Sequence, residues 1–482
     1  MPMKNIVVLM VDTIRAGDVS ANNGLGTISY LARNGTNYTN AIAPGMWTAS
    51  SHASLFMNRR VSKIKNVSKN FFKNGTRKID PWMVKTKFLD DNATTMAQKM
   101  SRLGYNSVLF SCNPFLTSFT NLALGFDKTY DLWLNSNLKY NKSLVNKLSV
   151  IINGGASARM AMFRTSNLMT SMLPKPIMDK LYMDLRNRLA DGVASADGTY
   201  RLDRGAKDAN KAMDRYLTYN DPSKPSFIFT NYIEGHENYP ISKRANLKQD
   251  KWLYLSGIEE MTPEVTDKLH KGYLKRLGYL DARVKEAISI LKSRGTLEDA
   301  TVVVTSDHGQ SFGEHGLLYH STFPYQEIAH VPLIAVNYKN GKMVKTKERV
   351  EQPVSLLALH KSLLDIASGK DEYLDGNLRS GKYLLSEHTG ICEGWDESLL
   401  RMLKSRSKSA ELIYRAKSRF NIKATAVYSG DMKLMHYFGK RKDELYDLSR
   451  DPGEADNLID SNRSVAKDLL CHAAPRMQTK AC

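Results

Sequence analysis

Unbroken apolar runs alternate along the chain with longer segments whose apolar residues recur at helical spacing. Residues 5–12 read NIVVLMVD, an apolar run closed by an acid, as in a parallel strand covered on both faces. A helical stretch around 93–103 leads through Gly104 into a second such run, 106–112 (NSVLFSC). The runs at 226–232 (SFIFTNY) and 301–306 (TVVVTS) repeat the theme, the latter after a long amphipathic segment over about 265–293. Strands alternating with helices predict an α/β fold, a large and mostly parallel sheet flanked by helices. Towards the C-terminus the pattern changes. Segments 424–428, 434–438 and the short ELYDL run, separated by Ser-Gly-Asp and Gly-Lys-Arg turns, predict a small antiparallel sheet. The expected division is a main domain over 1–365 and a small α+β subdomain over 366–482. Residues 132–225 show no clear strand. Their methionines (Met160, Met162, Met169, Met172, Met178, Met183) lie among Arg and Lys without a sustained amphipathic face, and the segment reads as a divergent helical insertion packed on the core.

Composition narrows the class. Of 482 residues, 42% are hydrophobic and 24% charged, an ordinary globular balance with ample material for a core. Lys and Arg total 69 against 49 Asp and Glu, a net charge of +20. Such a surface attracts something anionic: nucleic acid, an anionic membrane, or a phosphate or sulfate ester. No transmembrane segment, export signal or nucleic-acid module is recognisable. Cys112, Cys392, Cys471 and Cys482 are scattered without CxxC spacing and read as reduced thiols of a cytoplasmic protein.

Two of the strands end in an acid, Asp12 and Asp307. Ligands of an open parallel sheet bind at the carboxyl ends of its strands. If the two strands are neighbours, Asp12 and Asp307 meet there with His308 beside them. Paired carboxylates are costly to bury without a cation between them. Carboxylates with an imidazole suit Mn²⁺ or Zn²⁺, whereas Mg²⁺ and Ca²⁺ favour oxygen alone. Either Asp alone reads as a helix N-cap; the pair with His308 reads as a metal site.

Thr305 opens a longer pattern, TSDHGQSFGEHGLLYHSTFPYQEIAHVPLI, ending at Ile334. Further segments stand in a characteristic order: VDTIRAGDV, YLARNGTNYTNAIAPGMWTASSHASLF, GYNSVLFSCNPFL with LGFDKTYD, and DELYDLSRDPGEADNLI. Together they resemble the sulfatases and their relatives in the alkaline phosphatase superfamily. Sulfatases carry Cys-x-Pro-Ser-Arg at the nucleophile, the Cys being oxidised to formylglycine; here Thr48-Ala49-Ser50-Ser51-His52 fills that place. The resemblance therefore implies Thr48 as the nucleophile and no formylglycine, as in the phosphodiesterase and lipoteichoic-acid-synthase branches. Chemistry alone leaves Ser50 and Ser51 as rivals, since any hydroxyl needs activation by a cation.

The resemblance also implies a metal set of Asp12, Thr48, Asp307 and His308 around one divalent ion, Mn or Zn favoured over Mg or Ca. Thr13 stands where sulfatases usually have a second Asp, and His308 where many have Asn. Asp281, His236 and His320 do not match the two-zinc spacing, so one metal is expected. His236, in NYIEGHENYP, resembles an H-x-P-Y loop, and His320 matches a leaving-group position. Both are candidates to contact ester oxygens or protonate a departing alkoxide. His52 replaces the sulfatase Arg and is a substrate-binding candidate. Residues 59–87 hold ten basic residues against Asp80 alone; Lys63 and Lys65 are further substrate-binding candidates, the rest steering an anion. His315 is read as shaping its loop and His330 as packing.

The expected function is metal-dependent hydrolysis of a phosphoester through a covalent Thr48 intermediate, or transfer of that group to an alcohol. Sulfuric-ester hydrolysis without formylglycine is the alternative within the class. A different class, a catalytically inactive anionic-ligand or nucleic-acid binding protein, is favoured by the charge and disfavoured by the intact metal ligands. The partner expected is an anionic ester, carried by a polymer or lipid in one form.

Overall fold

A run apolar at every position can be buried only inside a sheet covered on both faces, and that is where residues 5–11 lie. The computed structural model describes residues 4–20, 23–64, 87–118, 120–133, 202–241, 251–255, 257–320, 322–374, 378, 381–390, 411 and 422–473. The main sheet contains β1 (Asn5–Val11), β2 (Thr36–Ile42), β3 (Asn106–Ser111), β4 (Lys128–Asp131), β5 (Ser226–Tyr232), β6 (Asp299–Thr305) and β7 (His330–Lys339). Its order is Glu348–Val350, β2, β7, β6, β1, β5, β3, β4, with short strands Lys342–Val344 and Val354–Ser355 pairing with β7 and β2. The β6-β1-β5-β3-β4 block is parallel throughout. Only β7 and its short partner Lys342–Val344 run against their neighbours.

Alternation along β1 feeds two separate cores. Val7, Leu9 and Val11 face α1 (Gly26–Asn34), and also the later helices Ala206–Tyr219 and Pro263–Ser293. Ile6, Val8 and Met10 face α2 (Thr48–Met57), α3 (Met96–Arg102) and Leu356–Ala367. Successive strand side chains point to opposite faces, so a helical layer on each face demands the unbroken apolar run. Thr95 and Gln98 form a capping box at the start of α3. Thr262 caps the long helix Pro263–Ser293, whose first residue is proline.

A second sheet is antiparallel, made of β8 (Leu384–His388), β9 (Lys423–Ser429), β10 (Met432–Phe438) and β11 (Glu444–Asp447). The helix Arg463–Ala473 packs on it. β8 joins it to the main body around α2. Glu387 donates its N–H to the Pro44 carbonyl (2.9 Å). Its carboxylate accepts from Arg60 (Nη2, 2.7 Å) and from Ser62 (N, 2.9 Å; Oγ, 2.8 Å). One residue therefore ties together the segments before and after that helix, by its backbone on one side and its carboxylate on the other.

Met160, Met162, Met169, Met172, Met178 and Met183 of the 132–225 insertion lie outside the described residues, as do residues 65–86 of the basic run and with them Lys65. Cys112 is a buried free thiol, but Cys471 is disulfide-bonded, so the expectation of reduced thiols does not hold there. Spacing misses such a bond because disulfide partners are set by the fold and not by a local motif. Among the described residues, no helix is long and apolar enough to cross a membrane.

Asp281 sits on the long helix Pro263–Ser293 and accepts the Thr27 and Ile28 N–H groups (2.9 and 2.8 Å) at the start of α1. It caps a helix from across the fold. Asp281→Ala is expected to lower the unfolding free energy by about 1–2 kcal/mol in urea titrations, while leaving divalent-cation binding unchanged.

Candidate active site

In the β1–β6 register Met10 stands opposite Thr305, so the chains leaving the two strands emerge side by side. Asp12, Asp307 and His308 follow, all at most 1% exposed. Their ligand atoms lie within 4.8 Å of one another. Asp12 Oδ1 and Asp307 Oδ2 are buried without a hydrogen-bond partner, at 3.8 and 3.5 Å from His308 Nε2. Burial first, then the Asp307 charge, pushes the Asp12 carboxyl up to about 8, with His308 opposing. Burial likewise pushes Asp307 up to about 7. Two carboxylates with unsatisfied oxygens, and an imidazole converging on them, fit a divalent cation.

Thr48 opens α2, preceded by Trp47 in extended conformation. Its hydroxyl donates to Asp12 Oδ2 at 3.3 Å. Asn113 Nδ2 donates to the same Asp12 oxygen (2.9 Å) and to Thr48 Oγ1 (3.3 Å). The rival hydroxyls are engaged elsewhere: Ser50 donates to the Trp47 carbonyl (2.9 Å) and Ser51 to the Asp307 carbonyl (2.5 Å). His52 lies behind Thr48. Its Nδ1 is 2.9 Å from the Thr48 carbonyl, and its ring meets Phe56 and Phe229 edge-on. Burial pulls its pKa down to about 4 and keeps the ring neutral.

A second group with ligand spacing lies alongside: His236, Glu237 and His320. The His320 ring stacks on His308 (4.4 Å between centroids) and meets His236 edge-on (4.7 Å). Gln310 orders the group. Its amide nitrogen donates to Glu237 Oε2 (3.1 Å) and Tyr239 Oη (2.6 Å), which turns Oε1 towards His320 Nδ1 at 2.8 Å. An amide oxygen only accepts, so His320 carries its hydrogen on Nδ1 and presents Nε2 outward. His236 Nδ1 donates to the Glu237 carbonyl (2.8 Å). Burial pulls His236 down to about 4, with Glu237 opposing and Arg204 reinforcing.

The structure thus brings Asp12, Thr48, Asp307 and His308 together, with His236 and His320 beside them. Lys63 is exposed in the turn Val61–Lys63 beyond the far end of α2. His330 packs, its Nε2 2.6 Å from the Thr39 carbonyl. The expectation of one metal rested on Asp281, His236 and His320 not matching the two-zinc spacing; Asp281 caps the start of α1, and the carboxylate beside the two histidines is that of Glu237. Sequence reading did not single out Asn113, Gln310, Arg204 or Arg276. Arg204 Nη1 donates to the His236 and Glu237 carbonyls (3.0 and 2.9 Å), and Arg276 Nη1 to those of Glu234 and His236 (3.2 and 2.8 Å). Asn113 had a signal, its place just past the end of a buried strand. The arginines had none.

A family model described as sulfatase matches residues 4–370. The extracellular sulfatase SULF-1 homolog of Drosophila melanogaster is 25% identical over 248 residues, 49% of this chain and 22% of that protein. Arylsulfatase K of Canis lupus familiaris is 27% identical over 239 residues, 46% of this chain and 42% of that protein. The chain therefore matches less than half the length of these relatives. Among solved structures, phosphonate monoester hydrolase of Agrobacterium radiobacter is similar with a TM-score of 0.58 at 16% identity, over 96% of this chain and 93% of that one.

The raised carboxyls set the pH response of metal-free protein. Asp12 and Asp307 bind protons more tightly folded than unfolded, so their penalty to stability grows as pH rises from about 4 towards 8. In chelator, the melting temperature is expected to fall over that window. Saturating Mn²⁺ should remove most of the slope, and Asp12→Asn should flatten it without metal.

Proposed function

The chain belongs to the sulfatase family, a family of ester hydrolases, and from that premise we propose that it is a metal-dependent phosphoester hydrolase with Thr48 as nucleophile. The observation that carries this reading is the Thr48 hydroxyl at a helix N-terminus, 3.3 Å from both Asp12 Oδ2 and Asn113 Nδ2. Asp12, Asp307 and His308 would hold one divalent cation, by donor chemistry Mn²⁺ or Zn²⁺, which would stabilise negative charge on the Thr48 oxygen and on the ester.

The chain's own groups divide the remaining work. Asp12 Oδ2, acceptor of the Thr48 hydroxyl, takes its proton as Oγ1 bonds to phosphorus. Asn113 holds that oxygen in line, and the N-terminus of α2 favours the negative charge gathering beside it. The phosphorus–oxygen bond to the alcohol breaks, and the alkoxide takes a proton from His320 Nε2. Glu237, 3.5 Å from His320 Nδ1, favours that ring's charged form. His236 is held neutral with its hydrogen on Nδ1, so Nε2 accepts a proton from the water that attacks phosphorus next. That attack breaks the bond to Thr48, whose oxygen takes back the proton held on Asp12 Oδ2, and releases phosphate from a monoester or a phosphomonoester from a diester; an alcohol in place of water gives transfer.

The anionic ester also fits the net charge of +20. Lys63 and Lys65 are proposed to bind or steer its oxygens, and a polymer or lipid is proposed as its carrier. His52 supports Thr48 from behind and stays off the substrate. The disulfide at Cys471 argues for an oxidising compartment rather than the cytoplasm. Sulfate-ester hydrolysis is the second reading. The names of the sequence relatives favour it, and a threonine, which cannot become formylglycine, disfavours it.

Purified protein should be assayed on aryl phosphodiesters, phosphomonoesters, phosphonate monoesters and sulfate esters with Mn²⁺, Zn²⁺, Mg²⁺ or Ca²⁺. Turnover of a phosphorus ester is expected; turnover of the sulfate ester alone would sink the phosphoester assignment. Thr48→Ala should lower kcat by at least about 10³-fold and abolish the acid-stable phosphorylated protein. Asn113→Ala should cost roughly 10²-fold in kcat. For His320→Gln, the loss should be greater with alkyl than with aryl leaving groups, since only the former need the proton.

A further inference from the structure

The C-terminal sheet contributes a charged group that the reaction does not use. Lys433, on β10, is fully buried, and its ammonium lies 2.5 Å from Glu454 Oε1. The other oxygen, Glu454 Oε2, accepts the Gln326 N–H at 2.6 Å. Around the pair stand His315, stacked flat on Tyr325 (3.8 Å), and Glu327, 3.8 Å from His315 Nε2. His315, Glu327 and Glu454 have metal-ligand spacing, but the Lys433 ammonium already supplies the cation there.

The turn that Glu454 anchors faces the active site through backbone hydrogen bonds. Gly309 donates its N–H to the Ile328 carbonyl (2.7 Å), and Gln310 to the Glu327 carbonyl (2.8 Å). The approach is close enough that a Cβ on Gly309 would stand 2.2 Å from the Glu327 oxygen. Gly309 and Gln310 directly follow His308, and the Gln310 side chain is what orients His320, Glu237 and Tyr239.

We propose that Glu454 is a positioning residue of the active site: its carboxylate, whose charge Lys433 neutralises, fixes the 326–328 turn, which fixes residues 309–310 and so the aim of His308 and His320. The C-terminal sheet is then a working part of the site, although it places no side chain in it. Burying two charges away from the chemistry is poor value for stability alone, since an apolar pair of similar volume would serve as well. What an apolar pair lacks is an acceptor for the Gln326 N–H.

This inference rests on the reading of His308 and His320 given above, and its test separates the two. Lys433→Met with Glu454→Gln removes both charges but keeps the acceptor, whereas Lys433→Met with Glu454→Leu removes both. Each removes both charges of the pair together, so neither Lys433 nor Glu454 is left alone in the interior, and both are expected to fold. In the Leu variant, amide hydrogen exchange at Gly309 and Gln310 should accelerate by about tenfold or more while β1 amides keep their protection. Its kcat on the best ester should fall by about tenfold or more with KM within about twofold. The Gln variant should stay within about threefold of wild type on both readouts. Equal exchange at Gly309 and Gln310 in the two variants would overturn the proposal, as would equal kcat. If wild-type protein turns over none of the esters, the functional reading fails and the exchange comparison alone decides this one.

Discussion

Two carboxylates held together out of water constrain everything else in this molecule. The β1–β6 register brings Asp12 and Asp307 to one point, and neither can be moved without shifting a strand at the centre of the sheet. Like charges in a buried site are tolerated only when protonated or shared with a cation. Every neighbour answers to that condition. His308 faces both acids, Asn113 and Thr48 donate to Asp12, and the Ser51 hydroxyl pins the Asp307 carbonyl. The two helical layers make the sheet stiff enough to enforce the arrangement.

Support around the acids comes at two depths. Nearest are groups that aim a reacting atom, such as Gln310, which sets the tautomer of His320. Behind them, buried cations hold backbone in place. Arg204 and Arg276 grip the carbonyls of residues 234–237, and Lys433 acts through Glu454 on the opposite side. Loops of this kind cannot satisfy their carbonyls with sheet or helix partners, so side chains from elsewhere do so.

Much of the frame was legible because its strands are apolar at every position. β1, β3, β5 and β6 lie where the runs predicted them, and so do β9, β10 and β11 of the small sheet, which turn signals separate; its fourth strand, β8, was not predicted. β2 was not legible: TNYTNAI is largely polar, and it becomes a strand because β7 pairs with it antiparallel. β7 was hidden for another reason, its apolar run lying inside a motif read for chemistry. At the site, acids at strand ends were visible because ligands gather there. Gln310, Arg204 and Lys433 were not, because their roles depend on partners from 10 to more than 30 residues away that no local pattern announces. The disulfide at Cys471 escaped for the same reason.

The clamp that Glu387 places around α2 bears on how the protein is made. It joins Arg60 to a residue 327 positions later in the chain. A ribosome adding roughly 5–20 residues per second takes about 15 to 65 s to cover that distance. For that interval the nucleophile's helix exists without its anchor, in a nascent chain surrounded by phosphate esters of nucleic acid. The completed site is therefore a late product of synthesis, withheld from its first anionic neighbours until β8 has been made.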